Sequence, residues 1–198
     1  MTSSAEGASW TGGPWGDRAH AVLCPNPGPM TLDGTNTWVV TEPGSDEAVV
    51  IDPGPLDEEH LRAVLAHVAS RRLRVALTLV THGHHDHAES VARWVELTGA
   101  PVRGAGHGAD LADGEVLRAG GLELVAVTSP GHTADSVCFL LPAEQLLFTG
   151  DTVLGRGTTV VAYPDGDLFS YLATLDRLRD LTRSGQVTTL APGHGPVR

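Results

Sequence analysis

Apolar residues along this chain recur at two periods. Thr35-Asn36-Thr37-Trp38-Val39-Val40-Thr41 and Glu47-Ala48-Val49-Val50-Ile51-Asp52 predict paired strands joined by a turn at Pro43-Gly44-Ser45. The period then changes: Leu61, Val64, Leu65 and Val68 recur at helical spacing, which predicts a helix from a cap at Asp57 to about Ser70. Val75 to Val80 is a nearly unbroken apolar run, the pattern of a strand covered on both faces. Val91, Trp94 and Val95 predict a helix that stops near Gly99. Further strands are predicted at Pro101 to Arg103, Glu115 to Arg118, Leu122 to Val127, Val137 to Leu141 and Gln145 to Thr149. Asp167 caps a last helix bearing Leu168, Tyr171, Leu172, Leu175 and Leu178, and Val187 to Leu190 is the last strand. Mixed strands and helices of this order predict an α/β or α+β layered domain over residues 20–198. Residues 1–19 are rich in Ser, Gly and Trp, lack periodicity, and read as a flexible tail. Trp10 and Trp15 are costly to leave in water, so the tail is expected to fold back over the body or the mouth of a site.

Composition narrows the function classes. With 198 residues, 41% of them hydrophobic, the chain can bury the core of one domain. The formal net charge of −11 disfavours a broad nucleic-acid surface, while leaving room for a local positive groove beside bound metal ions. Cys138 lies in the apolar run Val137 to Leu141 and is expected to be a buried, unreactive thiol; a disulfide to the distant Cys24 is not the expected state. No basic segment followed by an apolar core opens the chain, and no run approaches membrane-spanning length. A cytoplasmic protein without a membrane partner is expected.

Candidate chemistry is concentrated after the Val75 to Val80 run. Within Thr81-His82-Gly83-His84-His85-Asp86-His87, the pattern His-x-His-x-Asp-His sets three imidazoles and a carboxylate in six residues. Groups packed this densely repel and dehydrate one another unless a cation holds them. Neutral imidazole and carboxylate suit zinc, and less specifically iron or manganese. Three more ligand-type residues follow apolar runs at tight turns: Gly131-His132-Thr133, Gly150-Asp151 and Gly193-His194-Gly195. A protein nucleophile is not evident, since there is no Gly-x-Ser-x-Gly elbow and neither cysteine has an adjacent base.

The ordered set THGHHDH, GHT, GD and GH resembles the metallo-beta-lactamase superfamily, from about Asn36 to His194. The resemblance implies an αββα four-layer sandwich with metals at one edge. It implies two metal ions, most simply Zn2+: His82, His84 and His132 on the first, Asp86, His87 and His194 on the second, and Asp151 bridging both with a hydroxide as the second bridge. Asp86 and Asp151 are then the catalytic carboxylates. A metal-held water ionises near neutral pH and attacks an acyl or phosphoryl centre. In such a fold Asp52 ends a buried strand near the metal edge, and it is expected to orient His84, because ligating imidazoles donate their second N–H to a carboxylate or carbonyl.

Within the superfamily, the stretches Gly34 to Thr37, Gly131 to Ser136, Gly150 to Val160 and Pro192 to Val197 most resemble the lactamase-beta-like endoribonuclease group, which implies a single-stranded RNA substrate. A glyoxalase-II-like thioester hydrolase uses the same seven ligands, and a mononuclear iron persulfide dioxygenase uses a subset. The resemblance to the first two groups includes a C-terminal helical region, which this sequence, ending four residues after His194, is expected to lack. The substrate is therefore expected to be a small ester or thioester or single-stranded RNA. Arg156, in the loop after Asp151, is a candidate contact for an anionic substrate group. Ala88-Glu89-Ser90 stands where the family often has Gly-Gly, and Glu89 is expected to complement the helix dipole. His85 is expected to face solvent, His107 to lie in a loop, and His20, His60 and His67 to be surface or half-buried residues.

Overall fold

The structure is a computed structural model that describes residues 9–198. In chain order the elements are β1 (Gly13–Trp15), β2 (Ala19–Leu23), β3 (Asn36–Val40), β4 (Glu47–Ile51), α1 (Glu58–Ser70), β5 (Arg74–Val80), α2 (His85–Ala88), α3 (Val91–Thr98), β6 (Val102–Gly104), β7 (Val116–Ala119), β8 (Leu122–Thr128), β9 (Val137–Leu141), β10 (Leu146–Gly150), α4 (Leu168–Arg183) and β11 (Thr189–Pro192). They build two sheets, one of six strands in the order β1-β2-β3-β4-β5-β6 and one of five in the order β11-β10-β9-β8-β7. Most neighbours are antiparallel; β4 with β5, β5 with β6, and β10 with β11 run parallel.

Side-chain alternation explains the layering. Along β3, β4 and β5, Trp38, Val40, Val49, Ile51, Leu77 and Leu79 point between the sheets and meet Leu124, Phe139, Leu141, Leu146 and Phe148 from the other one. The intervening residues Val39, Ala48 and Val50 point outward, where Leu61, Val64 and Val68 of α1 and Trp94 of α3 cover them. On the second sheet Cys138, Leu140 and Leu147 point outward and pack with Leu178 of α4. Both faces of β9 and β10 are therefore buried, which is why these strands read as unbroken apolar runs. The result is the αββα sandwich, two sheets between outer helices.

Several boundaries differ from the sequence pattern. The pattern predicts a tail through residue 19, yet Gly13–Trp15 pairs antiparallel with β2, and Trp10 packs against the intersheet core. The Trp10 Nε1–H donates to Asn36 Oδ1 at 2.7 Å, while Trp15 stays 41% exposed. Residues 1–8 of that predicted tail lie outside the described residues. The metal-motif loop contains the short helix α2, too brief to show a period. The last strand runs Thr189–Pro192, two residues later than its apolar run suggests. The Asp57 cap forms as expected, its carboxylate accepting from the backbone N–H of Glu59 and His60. Among the described residues, no helix is long and apolar enough to cross a membrane.

Candidate metal centre

The strands deliver the chemistry to one edge. β4, β5, β10 and β11 end at the same rim, and the residues that follow are Asp52, Thr81-His82, Asp151 and Gly193-His194. Open sheets place ligands at the carboxyl ends of their parallel strands for this reason. Asp86 and His87 project from α2, and His132 from the turn after β8. Two glycines permit the close approach. A Cβ on Gly193 would stand 2.6 Å from both Asp151 Oδ1 and the His87 ring. Gly150 has φ +49°, and a Cβ there would meet the Thr81 side chain at 2.5 Å.

Three overlapping donor groups result: His82, His84 and His132; His82, His87 and Asp151; Asp86, His87 and His194. The Nε2 atoms of His82 and His132 each lie 3.1 Å from His84 Nδ1, and His87 Nε2 lies 3.3 Å from His194 Nε2. Asp151 stands between the groups, with Oδ1 3.3 Å from His87 Nε2 and Oδ2 3.3 Å from His194 Nε2 and 3.8 Å from His132 Nε2. Asp86 Oδ2 is 3.1 Å from His194 Nε2.

The outward-facing nitrogens define which lone pairs point inward. His132 Nδ1 donates to the Val160 carbonyl at 2.7 Å, His194 Nδ1 to the Gly34 carbonyl at 3.1 Å, and His87 Nδ1 to Asp52 Oδ2 at 2.8 Å. The Thr81 hydroxyl donates to Asp52 Oδ2 at 2.7 Å and so accepts from His82 Nδ1 at 3.0 Å. With those Nδ1 protons committed, the Nε2 atoms of His82, His87, His132 and His194 face the centre, where a cation would take the place of any second proton.

Asp52 corrects one expectation. It orients His87 directly and His82 through Thr81, and His84, the imidazole expected from the sequence, is not among its partners. Its Oδ1 also accepts from the Thr81 backbone N–H at 2.8 Å. One carboxylate thus fixes an imidazole in each outer donor group. Asp52 sits in the left-handed region, φ +54°, a conformation costing on the order of 1–3 kcal/mol for a residue other than glycine. The Thr37 hydroxyl holds its carbonyl at 2.6 Å, and Thr37 in turn accepts from His60 Nε2 at 2.7 Å.

The donor set fits divalent metal ions. Burial opposes a charge on His87, but the carboxylates of Asp151 and Asp52 outweigh it and lift its pKa well above the usual imidazole range. The same contest puts His194 at about 9, with hydrogen bonds to Asp151 and Asp86 outweighing burial. Burial, then neighbouring imidazoles, lowers His82 and His84 instead. In Asp86 and Asp151 burial opposes ionisation, but the facing imidazoles win and hold both below the usual carboxylate range. Asp151 Oδ1 is buried without a hydrogen-bond partner, an orphan a cation would satisfy. His82, His84 and His132 could hold one ion, Asp86, His87 and His194 a second, with Asp151 between them.

Other sequence candidates sit elsewhere. Arg156 forms an ion pair with Asp33, so its charge is already matched. His85 faces solvent, 3.7 Å from Glu89, and Glu89 also accepts from the Leu56 backbone N–H, bracing the α2 end against the Pro55 turn. His20 and His67 stack at 4.0 Å between ring centroids, away from the metal-motif residues. His60 is not the surface or half-buried residue expected: it is 1% exposed beneath Gly54. Thr37, Thr81, Val160 and Gly34 are further supports that the motif pattern does not mark. Two of them act through backbone carbonyls, which carry no residue-type signature.

His60 yields a pH prediction. Burial, against a smaller opposing pull from Asp57, lowers its pKa from 6.5 to about 4. An imidazole depressed in the fold protonates more readily when unfolded. Its contribution is complete above pH 6.5 and is lost as pH falls through 4, about 3 kcal/mol at most. His60→Gln keeps an Nε2 donor and removes the titration. Denaturant melts of that variant should show a shallower loss of stability between these pH values than the unmodified chain; identical slopes would contradict the assignment.

An αββα sandwich that gathers imidazole and carboxylate donors at the ends of its strands defines a metal-dependent fold class. The chain belongs to the metallo-beta-lactamase superfamily, whose family model matches residues 30–111 and 103–194. It is similar to an atrochrysone carboxyl ACP thioesterase of Aspergillus fumigatus, 39% identical over 191 residues, covering 91% of this chain and 56% of that protein. It is also 32% identical over 194 residues to the beta-lactamase-like protein 2 homolog of Caenorhabditis elegans, covering 91% of this chain and 62% of that one. The chain thus spans a little over half the length of these curated relatives. Among solved structures, ETHE1 from Myxococcus xanthus superposes with a TM-score of 0.71 at 30% identity, over 83% of this chain and 74% of that one. TTHA1623, solved in a di-iron-bound form, gives 0.70 at 27% identity, over 90% and 93%.

Proposed function

We propose that the chain is a metal-dependent hydrolase that cleaves an acyl thioester or a related ester, with two zinc ions as the resident metals. The observation that carries this reading is Asp151, a carboxylate with its Oδ1 enclosed, placed between two groups of inward-facing imidazole nitrogens. Bound divalent cations lower the pKa of water to roughly 7 and polarise an acyl oxygen, which supplies the nucleophile and the electrophilic pull. The chain's own residues do the positioning. Asp52, Thr81, Val160 and Gly34 fix the rings of His82, His87, His132 and His194 before any ligand arrives. The thiols do not compete as nucleophiles: both are buried, and burial pushes Cys24 up to about 12 and Cys138 up to about 11.

Thioester over RNA is favoured on two grounds. Relatives that align over most of this chain carry the name thioesterase. The net charge of −11 repels a polyanion, and Arg156 beside the site is paired with Asp33. The test is the full chain with its metal quantified, assayed in parallel on an acyl thioester, S-lactoylglutathione, a bis-aryl phosphodiester and single-stranded RNA, with oxygen uptake recorded. Two zinc ions per chain and fastest thioester turnover are expected. Turnover confined to RNA or the phosphodiester would overturn the substrate class. One iron per chain with oxygen consumption would replace hydrolysis by the dioxygenase reading.

A further inference from the structure

Two cavities meet over the metal centre, sharing Met30, His132, Asp151 and Val160. They differ in chemistry. The first, of about 300 Å³, runs beside the loop after Asp151, and its apolar wall is Met30, Leu32, Leu154 and Val160. Arg156 also lines it, but its guanidinium is paired with Asp33, whose other oxygen accepts from Ser9 Oγ at 3.1 Å. The Thr159 hydroxyl is likewise engaged, donating to the Asp151 carbonyl at 2.8 Å. This branch therefore offers contact area and no unmatched positive charge. The second, of about 270 Å³, holds Asp86 and Asp165 beside His84 and His194. Asp165 accepts one backbone N–H, from Ala134 at 3.2 Å, through Oδ1.

We infer that the substrate is a thioester of an uncharged, apolar acyl group, which lies along Met30, Leu32, Leu154 and Val160, joined to an uncharged amide-bearing thiol arm that leaves past Asp165. This rests on the hydrolase reading above and adds the substrate's chemistry. A negative acyl group would find no unpaired side-chain cation along the first branch, because Arg156 is held by Asp33. A negative leaving arm would meet the carboxylate of Asp165, which lies outside the donor set. An amide arm brings N–H donors to the carboxylate of Asp165 instead. The first branch, at about 300 Å³, is the space offered to the acyl chain. In the reaction, water forms a C–O bond to the acyl carbon as the C–S bond breaks. Its oxygen ends in the carboxylate product, one proton goes to the departing thiolate and the other to solvent, and nothing is oxidised or reduced.

The probes are N-acetylcysteamine thioesters of acetate, butyrate, hexanoate and succinate, with hexanoyl-CoA as the anionic-arm comparison. With the zinc-loaded chain, kcat/KM should rise about fourfold per added methylene, about 250-fold from acetyl to hexanoyl. Succinyl should fall below butyryl, and hexanoyl-CoA below its N-acetylcysteamine counterpart. Met30→Asp should flatten the series at unchanged metal content. Asp33→Asn should free Arg156 and raise the succinyl-to-butyryl ratio. Without turnover, the thioether S-hexyl-N-acetylcysteamine should shift the methyl resonances of Met30 and Val160. A flat acyl series, a preference for succinyl, or silent methyls while acetyl thioester is still cleaved would overturn this inference and leave the hydrolase reading standing. Cleavage of no thioester at all would remove both.

Discussion

Asp52→Ala is expected to weaken metal binding in both outer donor groups at once, by about 10- to 100-fold in affinity. The reason is that this carboxylate serves each group. Its Oδ2 holds His87 Nδ1 at 2.8 Å, and through the Thr81 hydroxyl it holds His82 Nδ1. Removing it frees two rings to rotate and leaves a buried N–H of His87 without an acceptor, in a position with no solvent exposure. Thr81→Val separates the two paths, because it breaks the link to His82 and leaves the bond from His87 to Asp52. Competition against a graded series of chelators, read by metal content and by the melting temperature of the loaded chain, resolves the stepwise affinities. Two steps weakened by Asp52→Ala and one by Thr81→Val is the expected pattern. A loss confined to one step in Asp52→Ala would show that the carboxylate does not join the two halves.

The metal motif was legible because its density has few physical explanations: His82, His84, Asp86 and His87 within six residues, and His132, Asp151 and His194 each at a turn after an apolar run. The layered fold was legible because β3, β4 and β9 are buried almost without a break. The partner of Asp52 was not. Which imidazole meets it depends on α2, a single helical turn whose start decides whether His84 or His87 faces the strand end, and a helix of four residues shows no period. β1 was hidden by Pro14 and flanking glycines; it is largely exposed and is held by its pairing with β2 rather than by an apolar pattern. His60 could have been found: it shares the helical stripe of Val64 and Val68, all of them buried, so its imidazole had to point inward. Thr35, Asn36 and Thr37 read as an ordinary strand start, yet all are fully buried. Asn36 Nδ2 donates to the carbonyls of Pro192 and Gly195, each at 3.0 Å, tying β3 to the loop that carries His194.

Asp151→Ala is expected to lower kcat/KM for the best substrate by about 10³-fold or more, equivalent to roughly 4 kcal/mol of transition-state stabilisation. Of the two carboxylates in the donor set, only Asp151 approaches imidazoles from both outer groups, through His132 on one side and His87 and His194 on the other. Asp86 approaches His87 and His194 alone. Truncating Asp151 removes a negative charge shared by the two halves, whereas Asp86→Ala affects one half. A smaller loss of activity, with one ion retained, is therefore expected for Asp86→Ala, and loss of the paired arrangement for Asp151→Ala. Asp151→Asn distinguishes charge from shape: it keeps the side-chain volume beside Gly193, where no Cβ could be accommodated, and removes only the charge. If the charge matters, the Asn variant behaves like the Ala variant; if Asp151 is a spacer, the Asn variant keeps most of its turnover. Turnover within tenfold of the unmodified chain in Asp151→Ala, with metal content verified, would place the reacting centre away from this carboxylate and the two donor groups it separates.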